Sequence, residues 1–329
     1  MSSKRSVPAA LLSVGVFLTM GVALAQAAER PITLAYIQKQ GDQQYFVDEA
    51  QGARDEAQKL GNVSVNVINV SMDANAAISA MNVMIGQKVD GIAIVVPDQK
   101  IGPQVIEMAR QAGIPIVASD DTLKDGKGDA IPFVGFDGYD MGHKVGLAAG
   151  EFFKKAGWKA DGALVAAAFE EQLSVCQDRQ RGEEDGFKEA TGGILPQVVK
   201  IGTDNSVVDA QNRTGAVVTA HPAISHWVVW GCNDESETGA VTALSNAGIQ
   251  TNDIIGVGLG AYLDCKDWQA NQKTGNKVAL FISGRDVGAA AIRVLVDHIR
   301  NGKPLPAKTI ANTTIVDPDN WKSVMGSCS

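Results

Sequence analysis

Gly91-Ile92-Ala93-Ile94-Val95-Val96 and Ile114-Pro115-Ile116-Val117-Ala118-Ser119 decide the fold. Both runs are apolar at nearly every position. A strand half-exposed in an antiparallel sheet alternates apolar with polar, whereas a parallel strand covered on both faces does not. Between them, Pro103–Ala112 has helical spacing and stops at Gly113, the usual place for a residue that ends a helix. The unit is strand, helix, parallel strand.

Working outward, the unit repeats along the chain. Strands are expected at Ile32–Ile37, Val63–Val70, Pro132–Phe136, Ala163–Ala168, Val198–Ile201, Trp227–Trp230, Ile254–Leu259 and Val278–Ile282. Helices are expected at Phe46–Leu60, Ala74–Lys88, Tyr139–Ala156, Asp178–Ala190, Val207–Ala220, Ser236–Ala247 and Asp286–Asn301. With the first two runs these strands fall into two sets of five. The fold class is therefore α/β, with two doubly wound parallel-sheet lobes.

The N-terminus reads separately. Lys4 and Arg5 precede an apolar run from Val7 to Leu24, and Ala25-Gln26-Ala27 follows. A basic start, an apolar middle and an A-x-A ending describe a secretory signal peptide, residues 1–27, cleaved after Ala27. The competing reading, a membrane anchor, is disfavoured by the Ala and Gly in the run. Removing the signal leaves about 300 residues, enough for two ordinary domains. The net charge of −8 comes without a basic stripe, so nucleic acid is not an expected partner.

Motifs for the obvious enzymes are missing. A dehydrogenase with this rhythm needs G-x-G-x-x-G after the first strand, where the chain instead has Lys39-Gln40-Gly41-Asp42. Gly256-Val257-Gly258-Leu259-Gly260 lies within and just after a late strand and reads as structural. No P-loop, G-x-S-x-G elbow or H-E-x-x-H occurs, so neither a cofactor nor a metal is expected.

In open α/β sheets ligands bind beyond the carboxyl ends of the strands. The residues there are Lys39, Gln43, Tyr45 and Phe46 after the first strand, Asp120 and Asp121 after the fourth, and Phe136 after the fifth. Arg179 opens the helix after the sixth, and Asn233 follows the eighth. Each alone has an ordinary explanation: a solvated loop lysine, a helix-capping aspartate, an aromatic packing staple. Together they suit a neutral polyhydroxyl ligand. Carboxylates accept from hydroxyls, cations and amides donate to them, and an aromatic ring covers a C–H face.

At these residues the sequence resembles the periplasmic sugar-binding proteins of the ribose, galactose and arabinose group, most of all the L-arabinose binders. The stretches that carry the likeness are KQGDQQYF (39–46), VVPDQKIG, IVASDDTL, HPAISHWVVWGCNDES and DIIGVGLG. The resemblance implies a bilobed periplasmic binding protein fold of type I with a three-segment hinge. One lobe is expected to hold 28–137 plus 284–312, the other 138–283 plus 313–329. It implies a ligand clamp of Lys39, Asp120, Asp121, Arg179 and Asn233. It also implies departures: Gln43 for a Glu, Tyr45 for a Trp, Phe136 for a Met, Val175 for a Thr and Gly260 for an Asn, with an acidic partner displaced to Asp264. Gly260 is expected to leave space for a different or larger sugar.

The function implied is a periplasmic monosaccharide receptor that hands its ligand to an ABC permease and its ATPase, as a monomer and without catalysis. The alternative is a sensor presenting sugar to a chemoreceptor or sensor kinase. A glycosidase would need two carboxylates across a scissile bond, and the adjacent Asp120 and Asp121 normally point apart. The four cysteines permit disulfides in an oxidising compartment. In the strand order such domains use, the eighth and ninth strands are neighbours, which predicts a Cys232–Cys265 bridge, with Cys176 as the rival partner of Cys232.

Overall fold

A computed structural model describes Met1 and residues 30–328. The expected export signal, residues 1–27, lies outside the described residues apart from Met1. The strands are β1 (Ile32–Gln38), β2 (Val63–Asn69), β3 (Gly91–Ile94), β4 (Ile116–Ser119), β5 (Phe133–Gly135), β6 (Ala163–Phe169), β7 (Gln197–Gly202), β8 (His226–Gly231), β9 (Ile254–Gly260), β10 (Asn276–Ile282), β11 (Lys308–Ile310) and β12 (Thr313–Val316). The helices are α1 (Gln44–Leu60), α2 (Ala74–Gly86), α3 (Gly102–Ala112), α4 (Gly138–Ala156), α5 (Ser174–Thr191), α6 (Val207–Ala220), α7 (Asp234–Asn246), α8 (Asp264–Gln269), α9 (Gly284–Asn301) and α10 (Trp321–Met325).

The strands form two six-stranded sheets, ordered β11-β5-β4-β3-β1-β2 and β12-β10-β9-β8-β6-β7. All pairings are parallel except β10 with β12. Each sheet is therefore a doubly wound α/β lobe. Within β1, Leu34 and Tyr36 pack with α1 and α9, while Ala35 and Ile37 pack with α2 and α3. In β6, Val165 and Ala167 meet α4 and α5, while Leu164, Ala166 and Ala168 meet α7. Burial on both faces explains why these strands read as unbroken apolar runs. The sequence reading missed β11 and β12. They are short end strands with exposed positions, so they lack a continuous apolar run.

Two helix pairs approach unusually closely, and glycine makes this possible. A Cβ at Gly142 of α4 would lie 1.8 Å from the Arg179 carbonyl oxygen, and one at Gly182 of α5 would lie 2.2 Å from the Tyr139 carbonyl oxygen. The other lobe repeats the device: a Cβ at Gly288 of α9 would lie 1.9 Å from the Glu49 carbonyl oxygen of α1. These contacts fix the heights of α1 and α5, the helices that carry Tyr45 and Arg179.

The disulfides are Cys176–Cys232 and Cys265–Cys328, so the expected Cys232–Cys265 bridge is incorrect. β8 and β9 are indeed neighbours. Adjacency did not decide the pairing, because the two cysteines face different packing clusters. Cys232 lies with Phe169, Leu173 and Cys176 at the start of α5. Cys265, in the first turn of α8, lies with Trp268 and Trp321, where the C-terminal tail arrives. Among the described residues, no helix is long and apolar enough to cross a membrane.

Candidate functional site

The carboxyl ends of both sheets open onto one cavity of about 670 Å³, open mouth included. The first lobe supplies Lys39, Gln40, Gln43, Tyr45, Phe46, Asp120 and Asp121. The second supplies Leu173, Val175, Cys176, Arg179, Asn205, Cys232, Asn233, Asp234, Glu235, Leu259, Gly260 and Tyr262, and Ile282 closes the back. Across the cleft, the Ser174 N–H donates to Gln99 Oε1 at 3.0 Å and Lys100 Nζ to Gln172 Oε1 at 3.4 Å.

Each polar group is held by its surroundings. Lys39 Nζ forms an ion pair with Asp121, and both residues are buried, 5% and 2% exposed. A buried pair of this kind persists only because each charge neutralises the other. Asp120 has a left-handed backbone, φ +56°, which turns the chain sharply after β4. Its Oδ1 accepts from the Tyr45 hydroxyl at 2.5 Å. Arg179, one turn into α5 beyond Cys176, donates to the Cys232 carbonyl oxygen. Its Nε is buried without a hydrogen-bond partner. Burial pulls the Arg179 guanidinium below its usual value, and the nearby Asp121 and Asp120 carboxylates oppose that shift. Three aromatic rings form one wall: Tyr45 meets Phe46 at 5.1 Å and Tyr262 at 6.2 Å between centroids, both edge to face.

Lys39, Gln43, Tyr45, Phe46, Asp120, Asp121, Arg179 and Asn233 all line the cavity. Asn233 is partly committed to structure. Its Oδ1 caps α7 by accepting from the Ser236 N–H at 3.1 Å, and its Nδ2 donates to the Asn205 carbonyl oxygen at 3.0 Å. Phe136 and Asp264 are not lining residues. Phe136 is buried behind Tyr45, with ring centroids 6.4 Å apart. Asp264 is fully buried, and desolvation together with the charges of Asp234 and Glu237 holds it well above the usual carboxylate range. Gly260 does not leave space either. At φ +139°, a Cβ there would lie 3.0 Å from the Asp234 carboxyl carbon.

The sequence reading missed Tyr262, Asn205 and Glu235 as wall residues. Tyr262 follows β9 by two positions and Asn205 follows β7 by three, so the strand-end rule could have found both. Tyr262 is anchored by accepting from the Gly284 N–H at 3.2 Å. Burial and Asp234 raise Glu235 to about 7.

Two α/β lobes with a mixed-charge, aromatic-walled cavity between their strand ends define a bilobed solute-binding protein. The profile of the periplasmic binding protein domain matches residues 34–304, and the chain belongs to that family. It is 29% identical to an ABC transporter L-arabinose-binding periplasmic protein of Azospirillum brasilense, over 98% of this chain and 97% of that one. It is 25% identical to the L-arabinose-binding periplasmic protein of Escherichia coli K12, over 95% of each. Among solved structures, an ABC transporter periplasmic solute-binding protein from Actinobacillus succinogenes with bound D-allose superposes with a TM-score of 0.77. It is 23% identical and covers 89% of this chain and 99% of its own.

Proposed function

We propose that this chain is the periplasmic receptor of an ABC-type sugar importer, binding one monosaccharide, an L-arabinose-like pentose or related hexose. The observation that carries the reading is the convergence on one cavity of Lys39, Asp120 and Asp121 from one lobe with Arg179 and Asn233 from the other, beside an aromatic wall. A sugar hydroxyl donates and accepts at once, so it can bridge a carboxylate and a guanidinium. The unpartnered Arg179 Nε gains an acceptor when a sugar oxygen arrives. Lys39 is paired with Asp121, and Arg179 lies near Asp120, so charges of both signs offset one another at the clamp, which suits an uncharged ligand better than an anion or cation.

The sugar contacts come from both lobes, so binding favours the closed arrangement over an open one. The lobes move as units of 28–137 with 284–312 and 138–283 with 313–329. The closed surface is what the permease, driven by its ATPase, recognises. Export by a cleaved N-terminal signal, a monomeric state and binding without turnover complete the proposal.

A thermal-shift screen over pentoses, hexoses, deoxysugars and polyols tests it, since a ligand of the native state raises the melting temperature. At least one aldose should raise Tm in the wild type. Arg179→Ala should weaken that sugar by about 30- to 1000-fold while the protein stays folded. No shift with any sugar, or unchanged affinity in Arg179→Ala, refutes the reading.

A further inference from the structure

Glu49 lies on α1, one turn beyond Tyr45, and is fully buried. Its Oε1 accepts from the Tyr36 hydroxyl at 2.5 Å and from Ser119 Oγ at 2.9 Å. Its Oε2 meets no N–H or hydroxyl donor, and neither does Asp120 Oδ2. The two carboxyl groups are instead close enough to act on each other directly. Two ionised carboxylates have only acceptors to offer, so a bond between them requires one proton.

The surroundings say which group holds it. Asp120 lines the cavity, accepts from Tyr45 and has the positive charge of Lys39 nearby. Among the described residues no cation pairs with Glu49. β1 presents Tyr36, the end of β4 presents Ser119 and Asp120, and α1 presents Tyr45. From α9, Gly284 and Gly288 press backbone against backbone, and Arg285 turns to Asp48 at 3.6 Å and Asp55 at 3.1 Å. Lys39 is held by Asp121.

We infer that Glu49 is a proton-bearing positioning residue for sugar binding: its neutral carboxyl donates to Asp120 Oδ2 and fixes the Asp120 carboxylate toward the cavity. The inference rests on the reading of the cavity as a sugar site. Each Asp120 oxygen then has one protein donor, Tyr45 or Glu49, and keeps a lone pair for a sugar hydroxyl. Burial pushes Glu49 well above the usual carboxylate range, and the neighbouring Asp120 charge adds to the effect. Raising the pH far enough to ionise Glu49 would set two carboxylates against each other and displace Asp120, so sugar affinity falls on the alkaline side.

The test compares wild type, Glu49→Gln and Glu49→Leu. Glutamine reproduces the neutral acid: an N–H toward Asp120 and a carbonyl toward Tyr36. Leucine removes the donor. With the sugar giving the largest thermal shift in the wild type, calorimetry should show Glu49→Leu weakened by roughly 10- to 100-fold. Glu49→Gln should restore most of that loss and flatten the alkaline fall in affinity. Infrared difference spectra of the sugar-free proteins at neutral pH should show a protonated carboxylic acid band in wild type that Glu49→Gln lacks. Absence of the band, or a Glu49→Gln affinity as poor as that of Glu49→Leu, overturns the inference. Should Glu49→Leu fail to fold, the band and the Glu49→Gln pH profile decide. If the wild type binds no sugar, the role in binding falls with the site reading, while the band still decides where the proton resides.

Discussion

Removing the Cys176–Cys232 disulfide should damage both stability and the site, whereas removing Cys265–Cys328 should damage stability alone. The two bridges span separations of 56 and 63 residues. The chain-entropy relation gives about 4 kcal/mol for a loop of either size, so it predicts nearly equal losses of stability. Their positions differ. Cys176 and Cys232 line the cavity, and Arg179 sits one helical turn from Cys176 and donates to the Cys232 carbonyl oxygen. Without the bridge, α5 and the end of β8 are tied by that hydrogen bond and by the apolar packing around Leu173, and Arg179 is held less firmly. A loosened charge-assisted bond to ligand costs about 1–2 kcal/mol, roughly 5- to 30-fold in affinity. Paired Cys→Ala variants of each bridge should be compared by urea unfolding and by sugar calorimetry. Equal affinity in the two variants would refute the argument that this disulfide positions Arg179.

Three further outcomes are expected. Gly142→Ala places a Cβ 1.8 Å from the Arg179 carbonyl oxygen, so α4 and α5 must separate; urea unfolding should show a loss of at least about 2 kcal/mol, and a neutral variant would contradict the packing. Gly260→Asn meets both the φ of +139° and the Asp234 carboxyl group. It should lower stability by about 1–3 kcal/mol without improving L-arabinose affinity, which a melting curve and calorimetry together check. Finally, burial raises the carboxyl groups of Glu49, Glu183, Glu237 and Asp264 well above their ordinary range, and Glu235 from 4.5 to about 7. Groups raised on folding bind protons more tightly in the native state, so their contribution is full below the unfolded values and is lost as pH rises. Tm should therefore be higher at pH 5 than at pH 8; a steady rise across that interval would count against it.

The sequence by itself determined the two-lobed α/β class, because doubly covered strands must be apolar throughout and so announce themselves as runs such as Gly91–Val96. It also determined much of the cavity lining. Lys39, Asp120, Asp121, Arg179 and Asn233 sit at the ends of recognisable strands or in the first turns of the helices that follow, and parallel topology brings such ends to one edge. Tertiary structure alone decided the rest. Phe136 and Asp264 also follow strands, yet their side chains turn into the protein, since a loop residue's direction depends on what packs against it. The disulfides followed packing clusters rather than strand adjacency. Gly260 read as missing bulk, whereas the space beside it belongs to Asp234, a neighbour supplied by the start of α7. Nothing in the sequence sets Glu49 apart from the rest of its helix. Only the approach of β1, the end of β4 and α9 seals it from water and sets its second oxygen against Asp120, because desolvation and proton sharing arise from neighbours distant in the chain.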